Sequence, residues 1–263
     1  MSRQNYYAMR RRRHRSEMDA ALVLSLVERE RQLQPRLGGR KVLSLISAEL
    51  EEYDAAIGRD RFFSLLRTHD VLVPRKRGRV RTTRSRHSLP VFGNLIAEHE
   101  VSGVHQVWVS DLTYISTEQG YLFGAVIMDL FSRKIVGHHI GDTLEAEGCI
   151  QALDGALSQL PPGFFPIHHS DRGCQYCCHA YVQRLLERGL QISMTEVLHC
   201  YENAAAERVI GTLKQEYELD RRFRTKQQAR QAFMQAVYLY NNRRPHLSLD
   251  YGIPADVHRR AAA

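Results

Sequence analysis

The chain has no apolar run approaching the roughly eighteen residues that a membrane span needs. Nor does an apolar segment follow the basic N-terminus through Arg15, where a secretory leader would carry one. Both absences predict a protein that stays in the cytosol and engages no membrane. Cysteine is scarce and odd in number, at 5 in 263 residues, which fits a reducing compartment and excludes a disulfide scaffold. Cys174, Cys177 and Cys178 stand beside His179, but a C-x-x-C with no second pair is a weak zinc signature. No heptad repeat is sustained, so a long coiled coil is not expected.

Acidic residues are what the first ninety positions lack. Residues 1–90 carry 21 Lys and Arg against 10 Asp and Glu, whereas the remainder carries 16 against 19. The basic excess is thus N-terminal, and points to a nucleic-acid-binding module, residues 1–90, ahead of a more acidic domain, residues 91–263. A solvated basic face is the alternative.

Helical spacing of apolar residues predicts three helices in the first part: 17–33 with Leu22, Leu26, Val27 and Leu33, 40–51 with Val42, Leu45, Ile46 and Leu50, and 59–69 with Phe62, Phe63, Leu65 and Leu66. Gly58 separates the last two, which reads as a helix–turn–helix whose second helix would present Arg59, Arg61 and Arg67 to DNA. A helical bundle that only packs is the alternative. Seven Lys and Arg follow within residues 75–87, among them Arg75, Lys76, Arg77, Arg79 and Arg81. Such a run suits an arm that neutralises phosphates.

From residue 105 the period shortens to two. Residues 105–115, 120–130 and 132–140 read as an antiparallel meander, followed by a helix at 143–159 capped by Thr143, a strand at 164–170, a helix at 175–188, a strand at 190–194 and a helix at 202–219. A capping box, Thr225 with Gln228, opens another helix to about Tyr240. Three antiparallel strands followed by alternating helix and strand suit an α/β domain, a ribonuclease H-like mixed five-stranded sheet with flanking helices.

Three carboxylates stand out. Asp111 lies in V-W-V-S-D-L-T-Y-I and Asp171 in F-P-I-H-H-S-D-R-G-C-Q-Y, both in or at the end of apolar strand-like runs. An ionised carboxylate there costs several kcal/mol without a compensating cation or donor. Glu207 lies on the shoulder of a helix whose stripe is Ala206, Ile210, Leu213 and Tyr217, with Asn203 and Lys214 on the same face as the glutamate. Carboxylates from two strands and a helix meeting at one point would hold a hard cation such as Mg²⁺. Two such ions clamp the attacking and leaving oxygens of a phosphodiester. Asp129, also acidic in an apolar strand, sits beside Ser132, Arg133 and Lys134, where a turn cap or ion pair accounts for it. His169 shares the strand face of Asp171; it either orients a phosphate or packs.

The separations sharpen this reading. Asp111 and Asp171 are 59 residues apart by intervening count, and Asp171 and Glu207 are 35 apart. With W-x-x-D-x-T-Y, H-S-D-x-G-x-Q-Y, M-D-L-F-S-R-K-I-V-G (128–137), E-R-V-I-G-T-L-K (207–214) and Y-N-N-R-R-P-H-L-S-L-D-Y-G-I-P (240–254), the chain from about residue 36 resembles the DDE transposase and retroviral-integrase superfamily. Within it the pattern is most similar to insertion-sequence transposases of the IS-three type, in their second-frame product. The resemblance implies metal-dependent cleavage and strand transfer at element ends by Asp111, Asp171 and Glu207, with Mg²⁺ as cofactor and Mn²⁺ as substitute. It also implies DNA contacts by Lys214, Asn203 and His169, assembly as a homo-oligomer on DNA, the first-frame protein as a further partner, and a place in the bacterial cytoplasm on the nucleoid. A DNA-binding regulator without chemistry, and a nuclease that only hydrolyses, are the rival readings.

Overall fold

Apolar side chains at helical spacing do fold the first part of the chain as three helices: α1 (Arg3–Leu33), α2 (Gly39–Glu52) and α3 (Arg59–Thr68). Val23, Leu26, Val27, Val42, Ile46, Leu50, Phe62 and Leu66 close a core between them. The computed structural model describes residues 3–74, 89–196 and 203–262, and divides into two units, Met1–Lys76 and Arg77–Ala263. The unit boundary therefore falls before residue 90, and the basic run beginning at Arg75 lies outside the described residues as far as His87. Helix α1 begins at Arg3 rather than near Ser16. The Arg, Gln, Ala and Met residues ahead of Ser16 are good helix formers, so a potential cap is overrun. Arg15 ties α1 to the α2–α3 turn by donating to the Asp54 carbonyl at 3.2 Å and pairing with its carboxylate.

In the second unit the alternating segments form β1 (Val107–Thr117), β2 (Gly120–Asp129), β3 (Ile135–Gly141), β4 (Ile167–Ser170) and β5 (Gln191–Met194). They pair in the order β3-β2-β1-β4-β5, antiparallel from β3 to β1 and parallel from β1 to β5. This is the ribonuclease H-like arrangement expected from the element order. Strand parity then sorts side chains between two cores. Trp108, Ile127 and Val136 face α4 (Ala146–Leu157), α5 (Cys174–Cys177) and α6 (His179–Glu187). Val107, Val109 and Val126 face α7 (Ala204–Glu216) and α8 (Lys226–Asn242). Helix α4 lies so close to β3 that a Cβ on Gly137 would come 2.2 Å from the Ala152 carbonyl oxygen, so only glycine fits.

Several local expectations change. Helix α4 starts at Ala146 with no side-chain cap, not at Thr143, because Asp142 is held by Lys226 and Arg230 and the chain runs on before it turns. The expected helix at 175–188 is interrupted at Cys178, whose backbone is extended (φ −69°, ψ 148°). Thr225 does cap α8, accepting from the Gln228 N–H at 3.1 Å. A last helix, α9 (Pro254–Ala262), was not expected, although Pro254 at its first turn and Arg259 and Arg260 in its last are ordinary helix signals.

Buried polar groups fasten this unit. Asp129 is fully buried and accepts from the Ser132 N–H (2.8 Å), the Ser132 hydroxyl (2.7 Å) and the His105 N–H (2.7 Å), with His258 of α9 at 3.9 Å. Burial opposes its ionisation, but these donors outweigh burial and hold its carboxyl below the usual carboxylate range. Burial pushes the His105 imidazole down to about 4, with His258 acting the same way, and pushes His168 down to about 3.

The sign of the pH dependence follows. Both histidines are neutral in the fold, whereas unfolding lets them bind protons below pH 6.5, so stability is lost as pH falls from 6.5 toward 4. Asp129 adds a further loss at lower pH, when its carboxylate protonates. Chemical denaturation across pH 8 to 4 should show a flat upper range and then a decline, with His105 alone contributing on the order of 3 kcal/mol. His105 has φ 60°, a conformation asparagine tolerates, so His105→Asn should lower stability overall yet flatten the acid-side decline. Stability that rose on acidification from pH 6.5 would contradict this.

Candidate active site

Parallel pairing of β1 with β4 sets Val109 opposite His169. Asp111 follows two residues after Val109 on β1, and Asp171 two residues after His169, one past the end of β4. Both are half-buried, on the sheet face that α7 crosses. Asp111 accepts from the Leu112 N–H (2.8 Å), and Asp171 from the Gly173 N–H (3.0 Å). A Cβ at Gly173 would lie 3.0 Å from Asp171 Oδ1, so a larger residue there would make that carboxylate give by a few tenths of an ångström.

Helix α7 brings the third carboxylate. Asn203 at its N-terminus is buried and donates through Nδ2 to the Ser110 carbonyl (3.1 Å), pinning the helix start to β1 one residue before Asp111. Ala206, Ile210, Leu213 and Tyr217 are buried as the stripe predicts, and Glu207 is exposed on the shoulder in the first turn. Burial raises the Asp171 carboxyl above its ordinary value against the pull of the Gly173 N–H, and the charge of Glu207 raises it further. The two carboxylates are thus close enough to repel. Behind them, Tyr176 bonds its hydroxyl to Ser110 Oγ (2.9 Å), and its pKa is pushed well up by burial, with both Asp111 and Asp171 adding to it. Among the described residues, no three His, Cys, Asp or Glu side chains are gathered closely enough to hold a metal ion as they stand.

The other named residues fall in different places. His169 is fully buried, with Nδ1 2.8 Å from Ser193 Oγ, the position of a packing histidine. Asn203 is a structural tie, as above. Lys214 sets its ammonium 4.2 Å from the centre of the Tyr114 ring, a cation–π contact. Arg59, Arg61 and Arg67 are exposed on α3; Arg59 pairs with Asp60 (2.9 Å) and Arg61 reaches Ser16 (3.0 Å). Arg75, Lys76, Arg77, Arg79 and Arg81 lie outside the described residues. Cys149 and Cys177 are buried packing residues.

Sequence reading missed what the Y-N-N-R-R-P-H string does. Asn241 accepts from the Ile135 N–H (2.8 Å) and donates to its carbonyl (2.9 Å), clamping α8 to β3. Arg244 makes a two-pronged pair with Glu216 at the end of α7 (2.8 and 3.1 Å). These long-range partners hold the helix that carries Glu207.

The mixed five-stranded sheet thus carries Asp111 within β1 and Asp171 just past the end of β4. Two models described as "Integrase core domain" match residues 102–200 and 188–254. The 31 kDa protein of insertion element IS600 from Shigella sonnei is 35% identical over 260 residues, 97% of this chain and 94% of its own length. The transposase for insertion sequence element IS629 of Shigella sonnei is 35% identical over 182 residues, 69% of this chain and 61% of the relative. A chain of the simian T-cell lymphotropic virus intasome in complex with PP2A regulatory subunit B56 gamma shares the fold, with TM-score 0.51 and 15% identity over 81% of this chain and 70% of that one. The chain belongs to the insertion-sequence transposases built on the integrase core domain.

Asp129 separates structural from functional acids. Asp129→Asn sets an amide among three donors and should cost roughly 2–4 kcal/mol in urea denaturation, while calorimetric Mn²⁺ affinity of the folded protein stays at the wild-type value. Weakened Mn²⁺ binding with unchanged stability would reverse the assignment.

Proposed function

We propose that the chain cuts DNA at the ends of an insertion element and joins the freed 3′ ends to other phosphodiesters, with Asp111, Asp171 and Glu207 as its catalytic carboxylates. The observation that carries this is the parallel register that sets Val109 opposite His169, two residues before Asp111 and Asp171, together with the upward push that Glu207 adds to the buried Asp171 carboxyl. The donor set suits Mg²⁺, or Mn²⁺ in its place: three hard oxygen ligands, one of them raised in pKa by burial and a like charge. When bound there, the ions supply Lewis acidity for in-line displacement at phosphorus. The protein supplies the frame: Ser110 and Asn203 fix the start of α7 against β1, and Gly173 orients the Asp171 carboxylate. Lys214 lies two turns beyond Glu207, where its ammonium meets a phosphate flanking the cut as a point charge. Arg59, Arg61 and Arg67 of the helix–turn–helix and the basic run from Arg75 supply phosphate contacts. The working form is an oligomer on DNA in the bacterial cytoplasm, with the first-frame protein of the same element as a further partner.

A strand-transfer assay on labelled element-end oligonucleotides with Mg²⁺ tests the triad. Asp111→Asn, Asp171→Asn and Glu207→Gln should each reduce joining at least a thousandfold (~4 kcal/mol of barrier) with DNA affinity within about twofold of wild type. Near wild-type joining by any of them would remove that residue from the assignment. Lys214→Ala should weaken end binding and slow joining, Lys214→Arg should recover part of both, and Lys214→Glu should be worse than alanine. Three variants indistinguishable from wild type would leave Lys214 as a solvated helix residue.

A further inference from the structure

Strand β1 outlasts its parallel neighbour. Strand β4 stops at Ser170, level with Ser110, and further along that edge the backbone partner is Phe223, bridged in parallel to Thr117. The Phe223 N–H donates to the Ser116 carbonyl (2.9 Å), and the Glu118 N–H to the Phe223 carbonyl (2.8 Å). Phe223 and Thr117 are both buried on the α7–α8 side. Alternation along an extended segment therefore turns Arg222 and Arg224 to the other face of the sheet.

That face carries Tyr114, Ser116 and Tyr121 by register, since Ser116 stands opposite Tyr121. Tyr114 and Tyr121 meet edge to face at 5.8 Å, and Tyr121 is 55% exposed. Lys214 reaches the Tyr114 ring with its ammonium at 4.2 Å. Arg222 and Arg224 are exposed and make no ion pair or side-chain hydrogen bond among the described residues. The neighbouring cations of α8 differ: Lys226 and Arg230 are both committed to Asp142. Glu118 is the carboxylate flanking the patch, while Glu218 and Asp220 on the approach have contacts of their own.

We propose that Arg222, Arg224 and Tyr121 form a second DNA-backbone contact on the catalytic unit, on the sheet face opposite the one that carries Asp111 and Asp171. Thr117 lies six residues beyond Asp111 on β1, or roughly 20 Å along an extended strand. The patch thus lies about the length of six base pairs of duplex, at about 3.4 Å each, from Asp111. Two unpaired guanidinium groups suit two phosphates, and the tyrosine hydroxyl and ring suit a phosphate oxygen and the sugar beside it. The inference rests on the proposed reaction for its placement, but not for its test.

The test uses the full chain and a random-sequence duplex of about 30 base pairs, with binding read by fluorescence anisotropy over a salt series. Arg222→Ala with Arg224→Ala should raise Kd about tenfold near 0.1 M salt and make the slope of log K on log salt shallower by about two. In the wild type, saturating duplex should protect Arg222 and Arg224 from phenylglyoxal, read by mass spectrometry, independently of how the double variant folds. An unchanged slope, or arginines modified as fast with DNA as without, overturns the proposal. Mg²⁺-dependent joining by the wild type is scored separately. A chain that protects these arginines yet joins nothing contradicts the proposed reaction and leaves the surface standing. A chain that joins DNA with both arginines fully reactive contradicts the surface alone.

Discussion

Everything at the candidate site depends on the parallel pairing of β1 with β4, in the register that sets Val109 opposite His169. Side-chain direction alternates along a strand, so a slip of one residue would turn one aspartate to the opposite face. The register is secured on both faces: Val107 and Val109 enter the core beneath α7 and α8, and Trp108 enters the core beneath α4 and α6. On β4, His168 is held by Tyr181 (2.9 Å) and His169 by Ser193 (2.8 Å). The histidines flanking the site therefore serve the register, and through it the carboxylates.

The third carboxylate depends on a different set of restraints. Helix α7 is tied at its start by Asn203 to the Ser110 carbonyl and at its end by Glu216 to Arg244, and Asn241 clamps α8 to β3. Each tie joins residues far apart in sequence, and each is fully or largely buried, where losing one partner costs more than the bond itself contributes. The glutamate stays exposed while its helix is immobilised. That combination sets an exposed carboxylate on a fixed backbone.

Much of this was legible in sequence, for identifiable reasons. Period-two alternation from Val107 and the apolar stripe of Ala206, Ile210 and Leu213 report burial directly, so the meander and α7 could be read. Asp129 could be separated from Asp111 because its partner Ser132 is three residues away. The ties made by Asn241 and Arg244 could not be read, since their partners lie 106 and 28 residues away and only the fold joins them. Thr143 failed as a cap because Asp142 before it is captured by α8. Summed charge misled in another way. Residues 91–263 carry fewer basic than acidic side chains, yet Arg222 and Arg224 stand together on one face, an arrangement that a tally over a whole domain cannot show.

The central claim is that Asp111, Asp171 and Glu207 together form one divalent-cation site. Anomalous diffraction from a crystal of the chain grown with Mn²⁺ locates that site directly. The account predicts a peak between the Asp111 and Asp171 carboxylates, with the Glu207 side chain drawn toward it. A peak at another acidic group such as Asp129, or no peak at this position under saturating Mn²⁺, would contradict it.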